Sequence, residues 1–357
     1  MSTLAERLAR RTLELVDIPS ESLQEAAVRA HVRALVPAAL EVRFVAEDAA
    51  LWATPRRPGA PLVVLAGHYD TVPAQGNLPG RIADGAVHGL GAADMKGGVA
   101  VALELVRDLA AAPPAHVDVA LLLFGKEELP PSFNPLPELF EGCELVHEAE
   151  LAILLEPTAG AIHAGCVGTL TAQVAFHGVS GHAARPWLAH NALDRAIEGL
   201  AAIAALERRE TIVGGLPFYE TVTLTRLEGG IADNVVPDHA VATINLRYPP
   251  DREPEAAVAL LRSLLPPEAE ITLLGNSPPA RVVSDARSVT ALLEAGARAI
   301  EPKQAWTNVA DFTTRGIDAV NFGPGDPAHA HRRDELVTVD ALVHCYETLR
   351  RLLEGWS

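Results

Sequence analysis

Apolar residues come in two textures along this chain. In the first half they form unbroken runs: "PLVVLAGHYDTVP" from Pro61, "VDVALLLFGKEELP" from Val117 and "AELAILLEPT" from Ala149. Runs of this length, bounded by turn residues, predict strands buried on both faces. Between and before them the apolar spacing is helical: about residues 3–16, about 22–38, and "DMKGGVAVALELVRDLAAA", with the helix starting near Met95 to Gly98. Buried strands alternating with helices predict an α/β domain whose sheet is covered on both faces.

Near residue 167 the texture changes. "TLTAQVAFHG" alternates apolar and polar positions, as a half-exposed strand does. A helix at roughly 190–206, paired strands "TVTLTRLEGG" and "HAVATINLRY", a helix at roughly 253–265 and a strand "AEITLLG" follow. The order β-α-β-β-α-β is that of a ferredoxin-like α+β unit. After "NSPPA" the first texture resumes, with a helix in "SVTALLEAGARAI", a strand and loop in "GIDAVNFGPG", and a final helix in "TVDALVHCYETLRRLLEGW". The predicted organisation is one α/β domain, residues 1–166 and 279–357, interrupted by a smaller domain at 167–278. Hinges are expected near 165–168 and 277–281. A chain of 357 residues is long enough for two cores.

Composition narrows the partners. The formal net charge is −17, and no basic stripe is present to hold phosphates, so nucleic acid is not an expected partner. No apolar run is long enough to span a bilayer and the N-terminus, "MSTLAERLARRTLELVDIPS", lacks the pattern of a signal peptide, so no membrane partner and a cytoplasmic location are expected. Cys143, Cys166 and Cys345 are scattered and odd in number, which argues against a disulfide framework and a structural zinc knuckle.

The candidate chemistry sits at the ends of the buried runs. The first ends in His68 and Asp70, the second in Glu127 and Glu128, the third in Glu156; Asp94 precedes the helix between the first two. In an open α/β sheet, sites form beyond the carboxyl ends of the strands, so these residues are expected to converge. Each alone has a plainer reading: an H-x-D pair at the surface, Asp94 as a helix N-cap, Glu156 as the end of a strand. Together they bring five carboxylates into one crevice, which requires a compensating cation. Mixed histidine and carboxylate ligands suit zinc, cobalt or manganese. Two ions bridged by one carboxylate account for more of these acids than one ion does.

Taken in order, "GHYDTVP", "GLGAADMKGG", "GKEELP", "LLEPT", "SGHAARP", "GGIADNVVPD" and "GPGDPAHAHRRDE" resemble the aminoacylase and carboxypeptidase-like family of co-catalytic zinc hydrolases over nearly the whole chain. The resemblance implies a zinc-exopeptidase-like catalytic domain, with helices on both faces of a mixed sheet, interrupted by a ferredoxin-like dimerisation or lid domain. It implies two Zn2+ ions, replaceable by Co2+, and a homodimer formed through the inserted domain. It also implies roles. His68 and Glu156 hold one ion, Glu128 and His331 the other, and Asp94 bridges them, with a cis peptide at Asp94–Met95. Asp70 orients His68, and Glu127 is the general base and then the acid. His331 is preferred to His329 because it stands three residues before Asp334 and four before Glu335, the family's spacing from its ligand histidine to a following acid. His182, which in the family reaches across a dimer interface, polarises the scissile carbonyl. Arg247 and Asn234 hold the substrate's carboxylate or carbonyl.

The tail "AVNFGPGDPAHAHRRDE" and the run "LLEPTAGAIHAGCVGTL" are similar to the succinyl-diaminopimelate desuccinylase branch. The implied reaction is hydrolysis of a small N-acyl amino acid, N-succinyl-LL-2,6-diaminopimelate, to succinate and LL-2,6-diaminopimelate. N-acetylornithine or acyl-lysine deacylation, or carboxypeptidase activity, is the alternative within the family; an inactive peptide-binding scaffold is the alternative outside it. The chain departs from the branch in two places. "WTNVADF" stands where the branch usually has "WTDVARF", putting Asn308 and Asp311 in place of an acid and a base, and Ala93 stands where a cysteine is usual.

Overall fold

The three apolar runs lie side by side at the centre of one sheet. The computed structural model describes residues 2–356. Strand Leu62–His68 pairs in parallel with Asp118–Phe124 on one side and Ala149–Leu154 on the other. Every residue of Leu62–His68 and Asp118–Phe124 is buried. The full order is Glu41–Val45, Ala49–Ala53, Asp118–Phe124, Leu62–His68, Ala149–Leu154, Ala319–Asn321, Ile162–Cys166, Ile300–Lys303. Its first two strands are antiparallel to their neighbours, so the sheet is mixed. Four of its strands, Ile300–Lys303 among them, were not apparent from periodicity. Glu41–Val45 is an exposed edge strand that reads as loop, and Ala49–Ala53 and Ile162–Cys166 are too short to show a period.

Helix Gly97–Ala111 is buried along most of its length and packs with helices Leu4–Val16 and Val339–Glu354. Its first turn lies against the end of strand Ala149–Leu154: a Cβ on Gly98 would collide with the Leu155 carbonyl oxygen. Only glycine permits that approach, and it sets the helix start beside Glu156. The helix expected at about 22–38 is shorter, Ala26–Leu35. Leu23 has φ +76°, which a helix cannot contain, and Val36 is extended before Pro37.

The chain divides into two compact units. The first runs up to Gly165 and includes Val283–Glu301 and the chain from Asn308 on. The second comprises Cys166–Val282 and Pro302–Thr307. The latter segment is held to the second unit by specific bonds: Gln304 donates to the Pro217 carbonyl (2.8 Å) and Trp306 Nε1 to the Pro278 carbonyl (3.1 Å).

The second unit is an antiparallel sheet in the order Arg209–Val213, Leu216–Gly229, His239–Tyr248, Gly168–His177, Glu270–Ser277, with helices Ala192–Ala204 and Pro254–Ser263. This is the ferredoxin-like order with one added hairpin strand. Alternate residues of Gly168–His177 and His239–Tyr248 enter a core with Leu200 and Leu261. The intervening residues make a polar face carrying Thr169, Thr171, Asn245 and Arg247. No helix among the described residues is long and apolar enough to cross a membrane.

One polar tie joins the three packed helices of the first unit. Asp108 receives both arms of Arg7 (2.9 and 2.6 Å) and the hydroxyl of Tyr346 (2.5 Å). The Arg7 bond, opposed by burial, holds the Asp108 carboxyl below its usual value near 3.8. Its stabilisation is therefore complete above that value and is lost as pH falls through the lowered one. Asp108→Asn should cost about 1–2 kcal/mol at neutral pH, less than a fully buried charged bond gives because Asp108 is partly exposed. Urea melts of both proteins should show the gap closing as the pH falls below the usual carboxylate range; a gap independent of pH would contradict this account.

Candidate metal centre

The ligand-type residues stand where three parallel strands run out of partners. His68 is the last residue of its strand and is fully buried. Gly125 to Glu128 follow Asp118–Phe124, and Leu155 and Glu156 follow Ala149–Leu154. Asp94 lies between strand Ala86–His88 and helix Gly97–Ala111, and its peptide bond to Met95 is cis. His331 follows a short turn, Pro327–His329, with φ +60°, a strained value for a non-glycine residue of the kind that collects at functional sites.

The side chains form two His–Glu pairs around one carboxylate. Asp94 Oδ1 is 3.3 Å from His68 Nε2, which is itself 3.8 Å from Glu156 Oε1. Asp94 Oδ2 is 3.4 Å from His331 Nε2, which is 3.0 Å from Glu128 Oε1. Ligand atoms of His68, Asp94 and Glu128 all lie within 4.8 Å of one another. His329 has its Nδ1 buried with no hydrogen-bond partner and makes no such pair.

Asp70, fully buried, organises two of these elements. Its Oδ1 faces His68 Nδ1 at 3.3 Å and accepts the backbone N–H of Glu127 (3.2 Å). Its Oδ2 accepts the N–H of Glu128 (3.2 Å) and the hydroxyl of Ser22 (2.7 Å). Burial pushes the Asp70 carboxyl up, but the bonds from His68, Ser22 and the backbone outweigh it and hold the group below its usual range. With the Nδ1 proton turned to Asp70, His68 Nε2 is the atom left for a ligand. The glutamate turn is braced from behind. Lys126 adopts φ +62° and its ammonium meets Asp48 at 2.6 Å, while Gly125 N–H donates to the Asp48 carbonyl at 2.9 Å.

The electrostatics describe a site that attracts positive charge. Burial disfavours protonation of His68, yet bonds to Asp70 and Asp94 raise its pKa well above the ordinary value. Asp94 and Glu128 raise His331 to about 10. Burial raises Glu127 well above the usual carboxylate range; Glu156, Glu128 and Asp94 push it further, while His68 pulls it back. Imidazole nitrogens and carboxylate oxygens at this spacing fit divalent cations, whose charge would replace those protons.

Three other expected site residues belong to the second unit. His182 pairs with Val235 across a two-residue ladder, and Ala183 N–H donates to the Asn234 carbonyl (2.9 Å), so His182 and Asn234 are neighbours. His182 is exposed, and its Nδ1 accepts the Ala184 N–H at 3.0 Å. That bond fixes the neutral tautomer with a proton on Nε2, a donor. Arg247 is half-buried; its Nε donates to Asn245 Oδ1 (2.8 Å), and Asn245 is held by Thr171 (3.0 Å). Burial lowers the Arg247 pKa, and no carboxylate contributes to offset it. Ser22 and Asn245 were missed from the sequence, since neither lies in a motif.

The sequence matches the model of peptidase family M20/M25/M40 over residues 64–355. A Mycobacterium tuberculosis protein provisionally named succinyl-diaminopimelate desuccinylase DapE is 39% identical over 354 residues, covering 96% of this chain and 97% of that protein. The succinyl-diaminopimelate desuccinylase of Corynebacterium glutamicum is 35% identical, covering 96% and 95%. Among solved structures, the aminopeptidase PepT of Bacillus cereus has a similar fold, with a TM-score of 0.79 at 21% identity over 98% of both chains.

The Asp70 geometry has a measurable consequence. Asp70→Asn turns one acceptor oxygen into a donor that opposes a backbone N–H of Glu127 or Glu128. Zinc titration of the metal-free variant should show affinity reduced about 10–100-fold, with the fold intact by circular dichroism. Unchanged affinity would remove Asp70 from the account.

Proposed function

Because the chain belongs to peptidase family M20/M25/M40, we propose that it hydrolyses the amide of N-succinyl-LL-2,6-diaminopimelate with two zinc ions, for which cobalt can substitute. It is a metal-dependent amidohydrolase; the substrate, the metal and the count of two are our reading. The observation that carries it is the placement of Asp94, whose two oxygens face separate pairs, His68 with Glu156 and His331 with Glu128. These five residues would hold the ions. Bound ions supply Lewis acidity and make a water in the site more acidic.

The chain's own groups divide the rest of the work. Glu127 binds no ion in this scheme. It takes a proton from the attacking water and later gives it to the leaving amine. An elevated carboxyl pKa suits both transfers, because the group must hold the proton between them. His182 offers its Nε2–H to the acyl carbonyl oxygen, a donor that stabilises the oxyanion as charge develops. Arg247, its Nε fixed on Asn245 Oδ1, offers its terminal guanidinium N–H groups to a substrate carboxylate, and Asn234 an amide to a carbonyl or carboxylate. The desuccinylase names of the relatives at 39% and 35% identity support the succinyl substrate.

Purified enzyme with added zinc or cobalt should turn over N-succinyl-diaminopimelate in preference to N-acetylornithine, N-acyl-lysine and a peptide with C-terminal glutamate. Glu127→Gln should keep its metal content and lose about 10²–10⁴-fold in kcat. Turnover of an acetylated substrate alone rejects the substrate assignment. Activity surviving in Glu127→Gln rejects the base.

We also propose a homodimer formed through the second unit. Trp187 (75% exposed), Leu188 (69%) and Ile231 (89%) are large apolar side chains of this unit that such an interface would cover. Sedimentation at micromolar concentration should give a dimer, and Trp187→Asp with Ile231→Asp should shift it toward monomer. A monomeric wild-type chain would end this proposal.

A further inference from the structure

The loop that delivers Asp94 is suspended from a carboxylate that carries no role so far. Glu335 is 2% exposed. Its Oε1 accepts the backbone N–H of Ala93 (2.9 Å) and of Asp94 (3.0 Å), and its Oε2 accepts that of Gly91 (3.0 Å). Its own carbonyl accepts the N–H of Gly89 (3.0 Å), and the next residue, Leu336, pairs with His88. The other donors of the loop are also accounted for: Leu90 N–H to the Asn77 carbonyl and Ala92 N–H to that of Gly89. Gly91 has φ +80°, and a Cβ there would meet Thr71 Cγ2 at 2.8 Å, so this path of the loop needs glycine.

Glu335 lies four residues after His331. One short segment therefore supplies a ligand-type histidine and also fixes the loop that carries Asp94. The two pairs around Asp94 differ in their support. His68 is part of a buried central strand, whereas the His331 side chain is 51% exposed and its segment is tied down by few bonds. One is Gln75 Nε2 to the His331 carbonyl (3.0 Å) and another is Asn77 Nδ2 to the Arg332 carbonyl (3.3 Å). The Glu335 carboxylate bonds the backbone N–H of Asp94 itself and so ties this segment directly to the residue between the two pairs.

We infer that Glu335 is a positioning residue: it holds Asp94 Oδ2 in register with His331 and Glu128, and so sets the affinity of the second metal ion more than that of the first. This rests on the two-ion reading above. Asp94 Oδ1 stays opposite His68 because His68 and Glu156 are placed by the sheet.

The test is titration of metal-free protein with cobalt(II) chloride, following the visible absorption of each equivalent, with zinc calorimetry in parallel. Glu335→Gln is nearly isosteric. Its amide oxygen can still accept from Ala93 and Asp94, but its NH2 group opposes the Gly91 N–H. The first equivalent should bind within about threefold of wild type and the second about 10–100-fold more weakly, the range for disturbed outer contacts of a metal site. Glu335→Asp, which keeps the two acceptor oxygens with a shorter reach, should fall between the two, and it replaces the Gln variant if circular dichroism shows that variant unfolded. A second step unchanged from wild type, or both steps weakened equally, overturns the inference. Wild type binding only one equivalent would instead overturn the two-ion reading, so the two failures are distinguishable.

Discussion

A single buried carboxylate, that of Asp70, links the parts of the centre that come from different strands. It faces the imidazole of His68 and accepts from the backbone of Glu127, the backbone of Glu128 and the hydroxyl of Ser22. Those donors outweigh the desolvation of the group, so it stays ionised within an apolar sheet. The adjacent glutamates then have different tasks open to them. Glu128 turns its Oε1 to His331, while Glu127 remains among the carboxylates that raise its pKa. The first faces a ligand-type histidine across a gap where a cation could bind, and the second has its carboxyl held well above the usual range, which suits proton transfer.

Glu335 and Asp70 answer the same structural problem. Parallel strands satisfy their backbone groups until they end; the loops beyond must place theirs elsewhere, and buried N–H groups are costly to leave unpaired. In this unit the loops at the strand ends also carry the ligands. Two carboxylates collect the free N–H groups of those loops, Asp70 for residues 127 and 128 and Glu335 for 91, 93 and 94. Burial pushes the Glu335 carboxyl up to about 7, whereas Asp70 is held below the usual range and places a fixed negative charge just behind the ligand atoms. That charge strengthens the pull on a cation without occupying a coordination position.

The sequence made the central strands and their endings legible because both faces of those strands are buried, so the apolar runs are continuous and end abruptly. His68, Glu128, Glu156 and Asp94 follow from those endings and lie together in the first unit. The edge strands were not legible: Glu41–Val45 is exposed along its length and carries no core signal. Nor was the place of Pro302–Thr307, which is fixed by bonds to residues 217, 219 and 278, far off in sequence. Ser22 and Glu335 act on partners 48 and more than 240 residues away. Periodicity is a local signal, and it has no means of registering contacts of that range.

The departure at Asn308 and Asp311 is clarified by the same kind of contact. Asp311 Oδ2 accepts from the amides of Asn308 (2.8 Å) and Asn134 (2.9 Å), and Arg315 stands 3.9 Å from Oδ1. Burial raises the Asp311 carboxyl and Arg315 offsets this only in part, so a second acid at 308, within hydrogen-bond reach, would add repulsion. Asn308 is the neutral donor that such an arrangement requires. In the branch pattern, an acid and an arginine three residues apart on a helical turn can form an ion pair. Here an amide and a carboxylate make the contact instead. The two substitutions are thus one exchange, and its new charge is spent on Asn134, in the segment that follows Glu127 and Glu128. The exchange therefore bears first on how that segment is anchored, and only through it on the substrate.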